Sequence, residues 1–282
     1  MSERAGPWLR LLLLAAGLGG PSALPATAAS GDTPVDVELI LAVDVSWSMD
    51  EGEQRLQRDG YIAALRSPEV QRAIIEGGHG KVAVTYVEWA GAFSQAVVVP
   101  WTLIDSKESA DGFAYRLSNE EPARERRTSI AAAIDYVAPM FEGNGFAGLR
   151  RVIDISGDGP NNQGRLVTEA RDAAAARGIT INGLPLMTSN SAGGYATWGS
   201  IPDLDRYYAD CVIGGPGAFM IPVTDWAQFP AAVRRKLVLE LAGGWPLPAG
   251  LPLPVVAVQA DNSDCFVGER QWNQRQKWFD DR

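Results

Sequence analysis

Histidine and cysteine are scarce. The 282 residues include one histidine, His79, and two cysteines, Cys211 and Cys265. A lone histidine in the loop Gly77-Gly78-His79-Gly80 leaves no Ser-His-Asp triad to assemble. No Walker loop or dinucleotide fingerprint is present. An aspartyl-phosphate mechanism that pairs aspartates two residues apart is also excluded where it would be sought, because Ser46 follows Asp44 at that distance. Positive charge is in deficit, with 25 Lys and Arg against 34 Asp and Glu and a net charge of -9. That balance argues against nucleic acid and anionic membrane surfaces as partners. Apolar runs long enough to span a bilayer are missing too.

The longest N-terminal apolar run, Leu11 to Leu18, instead fits the core of a secretory signal. Arg4 and Arg10 supply its positive end, and Ala26-Thr27-Ala28 supplies a small-x-small cleavage site. The expectation is a signal peptide over 1–28 and an exported protein, periplasmic or extracellular. In an oxidising compartment Cys211 and Cys265 read most simply as one disulfide, against the alternative of two unrelated thiols.

What is present is organised around Leu39-Ile40-Leu41-Ala42-Val43-Asp44-Val45-Ser46-Trp47-Ser48-Met49-Asp50. An apolar run without polar alternation suits a parallel strand covered on both faces. Asp44 then lies at its carboxyl end, where open α/β sheets place ligands. A carboxylate with two neutral hydroxyls is a hard-oxygen set suited to magnesium or manganese. Ser48 and Asp50 are also candidate caps for the helix that follows.

Helical spacing follows from Glu51, then a strand from Lys81 to Trp89. A short turn leads to an antiparallel strand from Gln95 to Leu103, with Pro100 suited to an edge. Thr128 stands where a helix N-cap belongs, and Leu149 to Ser156 is a strand that ends in Gly157-Asp158-Gly159. Further helices are expected over Val167 to Arg177 and up to about Leu241, with strands at Ile179 to Leu184 and Ala218 to Val223. The segment 244–282 reads as a Pro/Gly-rich linker followed by a tail with no assigned fold.

This order of elements, with Asp44-x-Ser46-x-Ser48, Thr128 and Asp158-Gly159, resembles the von Willebrand factor A (VWA) family and its metal-ion-dependent adhesion site, MIDAS. The resemblance covers about 35–243 and is nearer still to an uncharacterised family of exported bacterial proteins of this fold. It implies a Rossmann-like doubly wound α/β fold, with a mostly parallel six-stranded sheet and one antiparallel edge strand. It implies Mg2+ or Mn2+ held directly by Ser46 and Ser48, through water by Asp44 and Asp158, and switchably by Thr128. A carboxylate from a partner protein would complete the cation, which is binding rather than catalysis. Metal-assisted hydrolysis by Asp44 and Asp158, without a visible general base, and a scaffold with an empty site are the rival readings. Trp47 departs from the small residue common at its position. Trp47, Tyr195 and Trp198 are expected at the partner-facing rim, or else packed as loop anchors. Asp154, inside the strand, reads as a structural residue with a local partner.

Overall fold

The computed structural model describes residues 31–188, 200–242 and 263–280. Tyr195 and Trp198, the N-terminal signal and the linker lie outside those residues. Strand β1 (Thr33–Asp44) is buried from Val35 onward and lies at the centre of a five-stranded sheet. Its neighbours β2 (Val82–Trp89) and β4 (Phe146–Gly157) both run parallel to it. Beyond β2 lies β3 (Gln95–Ile104), antiparallel, and beyond β4 lies β5 (Ile179–Pro185), parallel. The order is β3-β2-β1-β4-β5. Pro100 sits on edge strand β3, where the ladder shifts register and a missing donor is tolerated.

The sheet has five strands where six were expected. The segment around Ala218 to Val223 does run beside β5, but only through isolated bridges, Gly183 with Met220 and Leu186 with Val223. Backbone bonds from Ile221 to Gly183 and from Met187 to Val223 hold it there, and no continuous ladder forms.

Alternation along β1 divides the core in two. Val37, Leu39, Leu41 and Val43 face the layer that includes α1 (Glu51–Leu65), α2 (Pro68–Ile75), α3 (Lys107–Ser118) and α7 (Phe229–Leu241). Ile40 and Ala42 face α4 (Ile130–Val137), α5 (Val167–Ala175) and the turn α6 (Leu204–Tyr207) with its π-helical continuation to Val212. With helices on both faces, the strands need no polar side, which explains the unbroken apolar run. The tail is not structureless: α8 (Val267–Asp280) is helical, and a Cys211–Cys265 disulfide ties its start to the domain.

Candidate metal site

Strands β1 and β4 pair with Val43 opposite Ser156, so Asp44 and Asp158 leave the sheet side by side at its carboxyl end. Both carboxylates are buried. Asp44 Oδ1 accepts the Ser46 N–H at 2.7 Å, while its Oδ2 is buried with no hydrogen-bond partner. Ser48 Oγ donates to Asp158 Oδ1 at 2.6 Å, and Ser46 Oγ lies 2.8 Å from Ser48 Oγ. Gly157 makes this crowding feasible, because a Cβ there would come 2.9 Å from Asp44 Oδ2 and 3.0 Å from the Tyr208 hydroxyl.

Burial is the first cause that pushes both acids above the usual carboxylate range. Asp44 is held well above it by burial and then by the charge of Asp158. Asp158 rises to about 6 through burial, with Glu53 adding to the effect and the Ser48 hydrogen bond opposing it. Neither acid has a Lys or Arg ion-pair partner among the described residues. Among those residues no three His, Cys, Asp or Glu side chains are grouped to hold a metal, so any cation here needs hydroxyl and water ligands as well.

The ambiguity at Ser48 is resolved by its neighbour. Asp50 caps α1 in a capping box with Glu53, which leaves Ser48 to face Asp158. Helix α1 also supports the loop from behind: Gln57 donates to the Asp44 carbonyl at 2.9 Å, and Gln54 to the Ser46 carbonyl at 3.3 Å. Ser156, under the site, donates to the other end of the Gln57 amide. Sequence reasoning passed over both glutamines. Their signal is polar residues at i and i+3 in step with buried Tyr61 on the same helix.

Thr128 is buried, and its backbone pairs with Asn162, four residues beyond Asp158. It does not cap α4. That role belongs to Ser129, whose Oγ accepts the Ala132 N–H at 3.3 Å and donates to the Gln163 carbonyl at 2.7 Å. Arg127 turns the chain at φ 77° just before Thr128. Helix α8 rests on these same loops. Asn161 donates to Glu269 at 2.7 Å, and the Arg127 guanidinium lies over the Trp272 ring.

Trp47 is half exposed, and its Nε1 donates to the Arg124 carbonyl at 3.2 Å. It packs against the loop 119–127 and still presents a face at the surface. Asp154 has the local partner expected of it, the buried Lys236 ammonium at 2.6 Å.

The model of the family described as "Protein of unknown function (DUF1194)" matches residues 34–245, and the chain belongs to that family. A search of the curated proteins found no significant match. Among solved structures, the chain is similar to proximal thread matrix protein 1 from the mussel byssus, whose MIDAS motif is zinc-occupied, with TM-score 0.55 and 15% identity over 75% of this chain and 49% of that one. The pilus adhesin SpaC from Lactobacillus rhamnosus GG aligns with TM-score 0.51 and 12% identity, over 75% of this chain and 31% of that one. A von Willebrand factor type A protein from Catenulispora acidiphila gives TM-score 0.47 and 14% identity, over 74% and 43%. The chain thus spans about half the length of the mussel protein chain. At these identities the likeness is one of fold, and the fold is of VWA type.

Proposed function

We propose that this member of the DUF1194 family is an exported, divalent-metal-dependent protein-binding module and not an enzyme. The observation that carries the reading is Asp44 Oδ2, buried and without a hydrogen-bond partner beside a second buried carboxylate. Two such acids, joined by two hydroxyls, form an arrangement with no Lys or Arg ion-pair partner among the described residues. A cation would relieve it. Ser46 and Ser48 would hold the ion directly, Asp44 and Asp158 through water or from behind, and Thr128 from the neighbouring loop. Their oxygen chemistry suits Mg2+ or Mn2+, while the mussel protein carries zinc in its own motif. When bound, the ion supplies an electrophilic point for a partner carboxylate. The chain's own residues keep that point rigid: Gln54 and Gln57 fix the loop carbonyls, and Gly157 lets the acids approach. Export draws support from the disulfide, which persists in oxidising compartments. Among the described residues no helix is long and apolar enough to cross a membrane.

Calorimetric titration with MgCl2, MnCl2 and ZnCl2, paired with thermal unfolding, tests the reading. At about 100 times Kd the bound ion should stabilise the fold by about 2.7 kcal/mol, since only the folded chain assembles the ligands. Ser48→Ala should lose most of that gain without unfolding the domain. Absence of heat and of any melting shift with all three salts would leave the empty-scaffold reading in its place.

A further inference from the structure

The residues that flank the site carry a second feature. Glu125 pairs with Ser46 in a short parallel bridge: the Trp47 N–H bonds the Glu125 carbonyl at 2.9 Å, and the Glu125 N–H bonds the Val45 carbonyl at 3.0 Å. Extended chain alternates, so Arg124 and Arg126 fall on one side and the Glu125 side chain on the other. Both guanidinia gather on the Trp47 indole, Arg126 at 4.3 Å from the ring centroid and Arg124 at 5.5 Å. The loop beneath them is anchored, because buried Glu88 accepts from the Ala123 N–H and pairs with Arg58, which also donates to the Glu120 carbonyl.

Several other arginines of this acidic protein are held by its own acids. Arg55, Arg58, Arg151 and Arg165 each pair with a carboxylate of the chain. Among the described residues Arg124 and Arg126 have no such partner, and both are exposed. Arg124 Nη2 reaches the Met49 carbonyl at 3.5 Å, and a guanidinium stacked on an aromatic face still turns N–H donors outward, a geometry that matches a carboxylate. Trp47 stands between Ser46 and Ser48 in the chain, so the ledge begins one residue from the proposed ligands. A partner that covers about 800 Å² of this surface would cover both. Trp and Arg are also the residue types that most often dominate such contacts.

Resting on the metal-dependent reading above, we infer that Trp47, Arg124 and Arg126 form a second anion contact. The partner is then a protein segment with clustered acidic side chains: one carboxylate goes to the cation, and a neighbouring one to the arginine pair. A nucleic acid would also offer anions to arginine. The net charge of -9 disfavours so dense a polyanion and leaves a short acidic peptide the better fit.

Fluorescence polarisation with a labelled octaglutamate peptide tests this, with octaglutamine and an eight-nucleotide thymidine oligomer as competitors. In Mg2+ the wild type should bind octaglutamate, and neither competitor should displace it at equal concentration. Arg124→Gln/Arg126→Gln should bind about tenfold more weakly, the loss expected from one charge-assisted pair, while calorimetry shows its Mg2+ affinity unchanged. Wild-type affinity in the double variant would overturn the ledge, even where chelation abolishes binding and so upholds the metal reading. Loss in the double variant with no effect of chelator would uphold the ledge and sink the metal reading instead. Failure of the wild type to bind octaglutamate, or better competition by the oligonucleotide, would overturn the acidic partner.

Discussion

Strand β4 and the turn just past it carry two aspartates four residues apart, and their surroundings differ in one respect. Asp154, inside the strand, and Glu240 from α7 are two buried acids that share Lys236, itself buried between them. Asn182 adds a hydrogen bond to Glu240 at 2.8 Å. Asp158, just past the strand, and Asp44 are likewise two buried acids, but among the described residues they are met by serine hydroxyls and backbone N–H groups and by no ammonium. Burial raises the protonation of both sets, with Glu240 at about 7 and Asp158 at about 6. An acid pair that the chain neutralises with its own ammonium is part of the scaffold. A pair left without a cation at the mouth of a sheet invites one from solution.

The comparison breaks most visibly at Lys236. Lys236→Met should cost about 3–5 kcal/mol in urea unfolding at neutral pH, because two buried carboxylates lose the ammonium that pairs with both. A loss below about 1 kcal/mol, the size of an exposed pair, would show that the lysine is not what balances that cluster.

At the other cluster the sign should reverse. Asp158 titrates near 6 when folded against an ordinary 3.8, so the unfolded chain gives up its proton first. In chelator, its contribution is fully present below about pH 4 and is lost as pH rises through about 6, amounting to about 3 kcal/mol. Asp158→Asn should therefore stabilise the metal-free protein at pH 8 and flatten that part of the pH profile. In excess Mg2+ the same substitution should destabilise relative to wild type, because the metal gain is lost. Unfolding curves at pH 4, 6 and 8, with and without metal, check both halves. A single sign throughout would mean that the two clusters do not differ in kind. Glu240 declines over its own range, from about 4.5 to about 7, in both proteins and cancels in the difference.

The smallest effect sharpens the frame around the site. Ser129→Ala should cost about 1 kcal/mol as a lost N-cap, seen as a modest fall in melting temperature. Thr128→Ala should cost less in stability and more in metal affinity. The reverse ranking would return the capping role to Thr128.

The central strand was legible because burial on both faces leaves its own mark, an apolar run that ends at Asp44. The hydroxyl spacing of Ser46 and Ser48, and the glycine before Asp158, were legible because they are local. The partners of those residues were not. Gln54 and Gln57 look like solvent-facing helix residues until the loop carbonyls above them need donors. Lys236 follows Arg234 and Arg235 in a charged run, and Asp154 on the facing strand β4, with Glu240 one turn on, makes it a buried residue. Thr128 and Ser129 are both cap-type residues side by side, and composition does not say that Ser129 is the one that caps. Helix α8 has a mostly polar sequence, and its place is decided by a disulfide and by loops far away in the chain.

At one point that helix meets the domain through the smallest of side chains. A Cβ on Gly268 would come 2.0 Å from the Asn161 carbonyl oxygen, so backbone lies directly on backbone at this point. Residue 268 is thus a wedge position. Any larger residue there must lift α8 from the Asp158 loop while Cys265, three residues earlier, keeps it tethered within reach. The helix and the loop that carries a proposed ligand can in this way be uncoupled from each other at one position, with every proposed ligand and the disulfide left intact.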